Sequence, residues 1–254
     1  MLKLASEADS EKLNKFCNKN VFGTYICCRA KAYGFSSDFS RLWISKDKNE
    51  NILCAVSSLD GNAVILSADG CDFEELSTAI RIFGFSSVLT DAHTAKKVLS
   101  DSFSQKTVMK FIGTCKDIET SGEADMRSIY RLLISCFPES YSESKNEYLS
   151  WLSDFMHRKK LELANIESVV SECAVIAVAM TAAESENSAV ISSVACAEKY
   201  RNSGYGKAVV LSLASKLKSK GKDVFAIAKN DDVISFYRKI GFTECGFAAY
   251  IERF

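Results

Sequence analysis

Chemistry is most legible in one stretch, Val194-Ala-Cys-Ala-Glu-Lys-Tyr-Arg201-Asn-Ser-Gly204-Tyr-Gly206-Lys207. An apolar run, read as a strand, enters a glycine-bearing turn, and the turn opens an apolar-periodic helix. The first N–H groups of a helix have no partner inside it, and the macrodipole favours negative charge at that end. Glycines at 204 and 206 remove side chains, so an anionic group can come close to the backbone. Arg201 and Lys207 add positive charge nearby. The residues alone therefore describe an anion site suited to phosphate, or else a tight strand-to-helix turn with no ligand. The spacing fits neither Gly-x-x-x-x-Gly-Lys-Ser/Thr nor Gly-x-Gly-x-x-Gly.

The surrounding elements must hold that turn. Strands are expected at Leu161–Glu167, Glu172–Ala182 and Ala189–Cys196, with Glu184 to Ser188 as the turn between the last two. A helix is expected from Gly206 to Lys220, with Val210, Leu213, Ala214 and Leu217 on one face and Gly221 at its end. Asp223–Lys229 reads as a strand, Asp231–Ile240 as a helix and Thr243–Ile251 as a final strand. Upstream, two helical stretches, about 123–136 and 144–159, flank the chain's single proline, Pro138. This order predicts a mixed α/β sheet with helices on its faces.

Arg201-x-x-Gly204-x-Gly206 after an apolar strand resembles motif A of the GNAT acetyltransferase superfamily. Beyond the next strand, Asn230-Asp-Asp-Val233-Ile-Ser-Phe236-Tyr237-Arg-Lys-Ile-Gly241-Phe242 is similar to a second family signature, with Val233 where the family has Ala. The resemblance spans residues 116–254 and implies an acyl-CoA N-acyltransferase fold with acetyl-CoA as cosubstrate. It implies that backbone groups of Val194, Ala195 and Cys196 pair with the pantetheine arm. It implies that the amides of Asn202, Ser203, Gly204, Tyr205, Gly206 and Lys207, with Arg201 beside them, hold the pyrophosphate. Asn230 would bond the pantetheine side of the cofactor. Acetyl-CoA would lie in the splay between the strand ending at Cys196 and the one ending at Lys229.

Tyr237 would protonate the thiolate that leaves. A phenol titrates near 10 and a thiol near 8.5, so a protonated tyrosine can act as the acid at neutral pH. Val233, Phe236, Tyr237 and Ile240 also form a helical stripe, and the alternative is that Tyr237 is core. No carboxylate stands in the strand Ala-Val-Ile-Ser192-Ser193-Val as general base. Glu184, Glu186 and Glu198 read as solvated turn residues, which leaves Ser192 and Ser193 to position a water. Cys196 reads as an inert buried thiol, and the resemblance favours direct attack by a primary amine. The alternative function is a catalytically silent acyl-CoA-binding regulator using the same pocket; a third is a structural tandem domain.

Residues 1–115 lack Arg-x-x-Gly-x-Gly. Ser6-x-x-Asp9 signals a helix start. Strands are expected at 41–45 and 51–57, a turn at Asp60-Gly61, a helix after Asp72 with Phe73, Leu76, Ile80 and Phe83 on one face and Gly84 as its stop, then strand 86–90, a helix after Asp91 and strand 107–112. That order resembles a degenerate GNAT-like module, either walling the acceptor site or serving as a packing partner. A domain boundary is expected in the polar stretch 114–124, dividing 1–115 from 116–254.

Composition sets the outer limits. The 254 residues carry 32 basic and 32 acidic side chains, which gives no global field for nucleic acid. Ten cysteines without Cys-x-x-Cys spacing read as reduced, which fits a cytoplasmic protein. The two histidines have no metal-ligand spacing. No apolar run is long enough to span a bilayer, so neither membrane nor metal is expected.

Overall fold

The computed structural model describes residues 1–98, 103–114, 118–121 and 124–252. The expected boundary at 115/116 falls outside the described residues. The chain forms two compact units. One comprises Met1–Met109, Ile227–Ser235 and Glu244–Phe254; the other comprises Lys110–Ala226 and Phe236–Thr243.

The first unit begins with β1 (Lys3–Leu4), α1 (Ser10–Cys17) and α2 (Val21–Tyr33). Then come β2 (Ser40–Lys46), β3 (Ile52–Leu59), β4 (Asn62–Ser67), α3 (Phe73–Phe83), β5 (Ser87–Asp91), α4 (Ala92–Val98) and β6 (Ser104–Phe111). Strands β1 to β4 form an antiparallel meander, and β5 then joins β4 in parallel across α3. Helix α3 follows its sequence signals: Asp72 accepts from the Glu75 N–H at 2.9 Å, Leu76 and Ile80 are buried, and Gly84 closes the helix at φ +62°. The core gathers Val56, Ile65, Leu76, Ile80, Phe85 and Val88.

Helix α2 had no sequence signal of the amphipathic kind, because it is apolar around most of its circumference; Val21, Phe22, Ile26 and Cys28 are all buried. Asn20 caps it, accepting from the N–H groups of Phe22 and Gly23. A side chain at Gly23 would collide with the backbone of Cys17, so glycine lets α1 and α2 approach.

The second unit contains α5 (Met126–Cys136), α6 (Lys145–Lys160), β7 (Ile166–Ser171), β8 (Ala174–Glu184), β9 (Ser188–Cys196), α7 (Tyr205–Ser219) and β10 (Asp223–Ala228). Its strands lie in the order β10-β9-β8-β7. β7, β8 and β9 are antiparallel, and β10 joins β9 in parallel across α7. The strand expected at Leu161–Glu167 instead starts at Ile166: α6 ends at Lys160, and the left-handed Glu162 turns the chain first. α5 and α6 bury Ile129, Leu133 and Phe155 against Ile166, Val178, Met180 and Ala195.

The chain ends with α8 (Asp231–Lys239) and β11 (Phe242–Glu252). β11 pairs antiparallel with β5, from Ala248↔Asp91 to Glu252↔Ser87, so the last strand completes the sheet of the first unit. Nine cysteines are free among the described residues, and Cys115 lies outside them. Among the described residues no helix is long and apolar enough to cross a membrane, and among them no group of ligating side chains suits a metal ion.

Candidate functional site

The parallel pairing of β9 with β10 runs from Ser188↔Asp223 to Ile191↔Ala226, and β9 continues to Cys196. β9 carries a bulge in that extension. Val178↔Ala195 and Met180↔Ser192 are its flanking pairs, so three steps on β9 oppose two on β8. Ser193 takes the strain at φ +48°. The Ala197 N–H donates to the Ile176 carbonyl at 2.8 Å. Alternation along an antiparallel pair then turns the N–H and C=O of Cys196 away from β8.

The Cys196 carbonyl accepts from Arg201 Nε at 3.3 Å and from the Cys136 thiol at 3.5 Å. Arg201 thus braces the turn it was expected to electrify. Burial pushes the Cys196 thiol up, against the smaller pulls of Arg201 and the Gly206 N–H. A thiol held protonated is a poor nucleophile.

The turn itself is built from two left-handed residues, Asn202 at φ +62° and Gly204 at φ +89°. Gly204 is the N-cap of α7, and no side chain caps the helix; its first turn holds no acidic residue. Helices α2, α3, α5 and α6 each have a side-chain oxygen on those N–H groups. The space where a Gly206 side chain would lie is open. Lys207 and Ser203 are exposed, and Tyr205 sits edge-on to Tyr200.

Asn230 lies in the other unit. Its Oδ1 accepts from the Val233 N–H at 3.0 Å, capping α8. Tyr237 is 4% exposed and packs edge-on to Phe242, with ring centroids 4.9 Å apart. Burial alone pushes its phenol well above the usual tyrosine range, so the hydroxyl stays protonated through neutral pH. The following Gly241 is required: it adopts φ +94°, its carbonyl accepts from the N–H groups of Ile112 and Gly113, and a Cβ there would meet the Gly113 Cα at 3.2 Å.

Of the carboxylates near β9, Glu186 and Glu198 are exposed, as expected of turn residues, and Glu184 and Glu167 are committed elsewhere. Glu184, expected to be a solvated turn residue, is fully buried at the end of β8. It pairs with Lys222 Nζ at 2.7 Å and accepts from Asn165 and Thr181. The sequence pattern missed this because the partner lies across the sheet. Glu167 is likewise held by Lys216 and Thr120. One residue was not foreseen: Tyr141, from the loop after Pro138, lies 3.0 Å from Ser193 Oγ, hydroxyl to hydroxyl.

Comparison with known proteins agrees with this geometry. Residues 126–242 match the family model described as Acetyltransferase (GNAT) family. No curated protein is a detectable match. Among solved structures, a Drosophila protein aligns at TM-score 0.68 and 11% identity, over 100% of this chain and 98% of its own. A tandem GNAT protein from the clavulanic acid biosynthesis pathway aligns at TM-score 0.62 and 10% identity, covering 98% of this chain and 97% of its own. A GNAT protein from Sphaerobacter thermophilus aligns at TM-score 0.61 and 11% identity, over 98% and 94% of the two chains. At these identities the likeness concerns the fold, and it extends over both halves. With the family match over the uncapped turn and the Tyr237 helix, residues 126–242 belong to the acetyltransferase (GNAT) family.

Proposed function

We propose that the chain transfers an acetyl group from acetyl-CoA to a primary amine. The observation that carries this reading is the uncapped start of α7 at Gly204-x-Gly206, directly after a strand whose Cys196 N–H faces away from β8. In this reading the pyrophosphate takes the N–H groups of Asn202 to Lys207. The pantetheine arm pairs with the backbone of Val194, Ala195 and Cys196. The amine nitrogen bonds to the thioester carbon, the oxyanion is met by the Cys196 N–H, and the C–S bond breaks. Tyr237 gives its proton to the departing sulfur, and the amine proton leaves to water held near Ser193. Juxtaposing the two substrates supplies much of the rate.

Residues 116–254 would be the transferase domain and residues 1–115 a degenerate copy of it. Unbridged cysteines in both halves fit a reducing, cytoplasmic setting.

The test is calorimetry with coenzyme A on the wild type and on Gly206→Glu, paired with thiol release from acetyl-CoA over a panel of amines. Gly206 has ordinary φ and open space around it, so the variant keeps the fold and adds only a carboxylate. Undiminished affinity in the variant rules out the pyrophosphate assignment. Binding without thiol release from any amine rules out the transferase reading.

A further inference from the structure

A cavity of about 450 Å³ opens between α5 and the start of α6 in the GNAT domain. Its wall carries Arg127, Arg131 and Lys145 against a single carboxylate, Glu143, a local excess of 3 − 1 = +2 in a chain of zero net charge. Arg127 and Arg131 are one turn apart on α5 and share a face. Among the described residues none of these cations has an ion pair. Arg127 is held in place by the Tyr148 ring, its guanidinium 5.3 Å from the centroid. Like charges gathered on one wall repel one another, and an anion between them removes that repulsion.

The cavity is joined to the strand that carries the proposed chemistry. Tyr130 lines the cavity and meets Tyr141 edge-on at 5.7 Å, and the Tyr141 hydroxyl is 3.0 Å from Ser193 Oγ in the β9 bulge. Helix α5 is a ruler along the same path. Cys136, at its end, touches the Cys196 carbonyl. At about 1.5 Å of rise per residue, Arg131 stands roughly 7.5 Å from that end and Arg127 roughly 13.5 Å.

We propose that this cavity binds an anionic group of the acceptor, a carboxylate or phosphate, held by Arg127, Arg131 and Lys145 several bonds from the amine that is acetylated. The role of the amine rests on the transferase reading above; the anion site rests on the cavity alone.

The test uses the full chain with Trp43→Phe, which leaves Trp151 as the sole tryptophan. Its ring lies 5.0 Å from Tyr130 and 6.2 Å from Tyr148, so its fluorescence reports on the cavity. Inorganic phosphate, 6-aminohexanoate and hexylamine are the probes. Saturable quenching is expected with the anions and not with hexylamine. In an Arg127→Gln/Arg131→Gln variant, anion affinity should fall by about tenfold or more, with coenzyme A affinity and circular dichroism unchanged. The relative affinities of phosphate and the carboxylate identify the anionic group. In turnover, 6-aminohexanoate should have a lower KM than hexylamine, and the variant should erase that advantage while leaving the hexylamine KM alone.

No saturable response to either anion overturns the proposal, whatever the turnover. Equal KM values for the two amines overturn the acceptor assignment. Arginine-dependent anion binding with no acetylation of these amines or of any in the panel would instead overturn the transferase reading, and with it the acceptor role of this cavity.

Discussion

The two units use the same device, a parallel strand pair crossed by a helix, to opposite electrostatic ends. In one, β9 leads through Gly204 into α7 and on to β10; in the other, β4 leads through Asp72 into α3 and on to β5. The start of α7 has no side-chain cap and no acid in its first turn. The start of α3 is filled by the Asp72 carboxylate, with Glu74 and Glu75 behind it. The next helix in chain order is capped in both cases, by an amide in one and a carboxylate in the other. Asn230 caps α8 through Val233, three residues on, and Asp91 caps α4 through Thr94 in the same way. Seven residues past each cap stand Tyr237 and Val98, both buried. Where the later strand–helix run in the chain offers N–H groups, an amide and a phenol, the earlier one offers carboxylates and a valine.

The largest effect expected from breaking this contrast is at Tyr237. Tyr237→Phe keeps the ring packing, and turnover should fall by about 10²–10⁴-fold with coenzyme A affinity near wild type. The same variant tests the burial of the phenol. The folded chain holds the Tyr237 proton above the unfolded value of 10.0, so wild-type stability should decline as pH rises past that value. Alkaline denaturation curves of the phenylalanine variant should be flatter.

Next comes Gly206→Glu, which gives α7 the acid that α3 already has. Two unit charges about 4 Å apart near a surface repel by about 4 kcal/mol, so coenzyme A affinity should fall by about a thousandfold. A loss under tenfold would show that the helix start is not where the charge sits.

The strand pairs differ where they begin. Ser87 Oγ donates to Asn62 Oδ1 at 2.6 Å in the first unit, whereas the second has the buried Glu184–Lys222 pair. Lys222→Met strands a buried carboxylate and should cost about 3–5 kcal/mol, against about 1 kcal/mol for Ser87→Ala. Urea unfolding measures both. Equal costs would mean that water reaches Glu184 in the variant.

The smallest effect is expected from Asp72→Ala, about 1 kcal/mol of stability from the lost cap. It should leave coenzyme A binding at its wild-type stoichiometry, because the first unit has no arginine or lysine in this turn to take over. A second binding event in the variant would break the comparison.

The sequence made some of this visible for local reasons. Asp72 and Gly84 announce α3 because a cap and a left-handed stop act within a single turn. Gly204 and Gly206 announce the uncapped start of α7 for the same reason. Helix α2 was hidden because a segment buried on most sides has no polar stripe to betray its period. Glu184 was misread because its partner is 38 residues away, and Tyr141 was overlooked because its place beside Ser193 depends on a loop crossing to β9. Spacing reports what neighbours in sequence can do; a charge matched across a sheet leaves no such trace.

One feature of the fold bears on how the molecule is made. β5 is flanked by β4 on one side and by β11 on the other. Synthesis delivers β5 early and its second neighbour only when residues 244–252 emerge. Until then the nascent first unit carries an open edge along Ser87–Asp91, the kind of surface that recruits stray strands from other chains. The interval is set by translation of the whole GNAT domain, so slow codons within residues 126–242 would lengthen it. A first unit cut away from residues 244–252 would keep that edge permanently and should aggregate where the full chain stays dispersed.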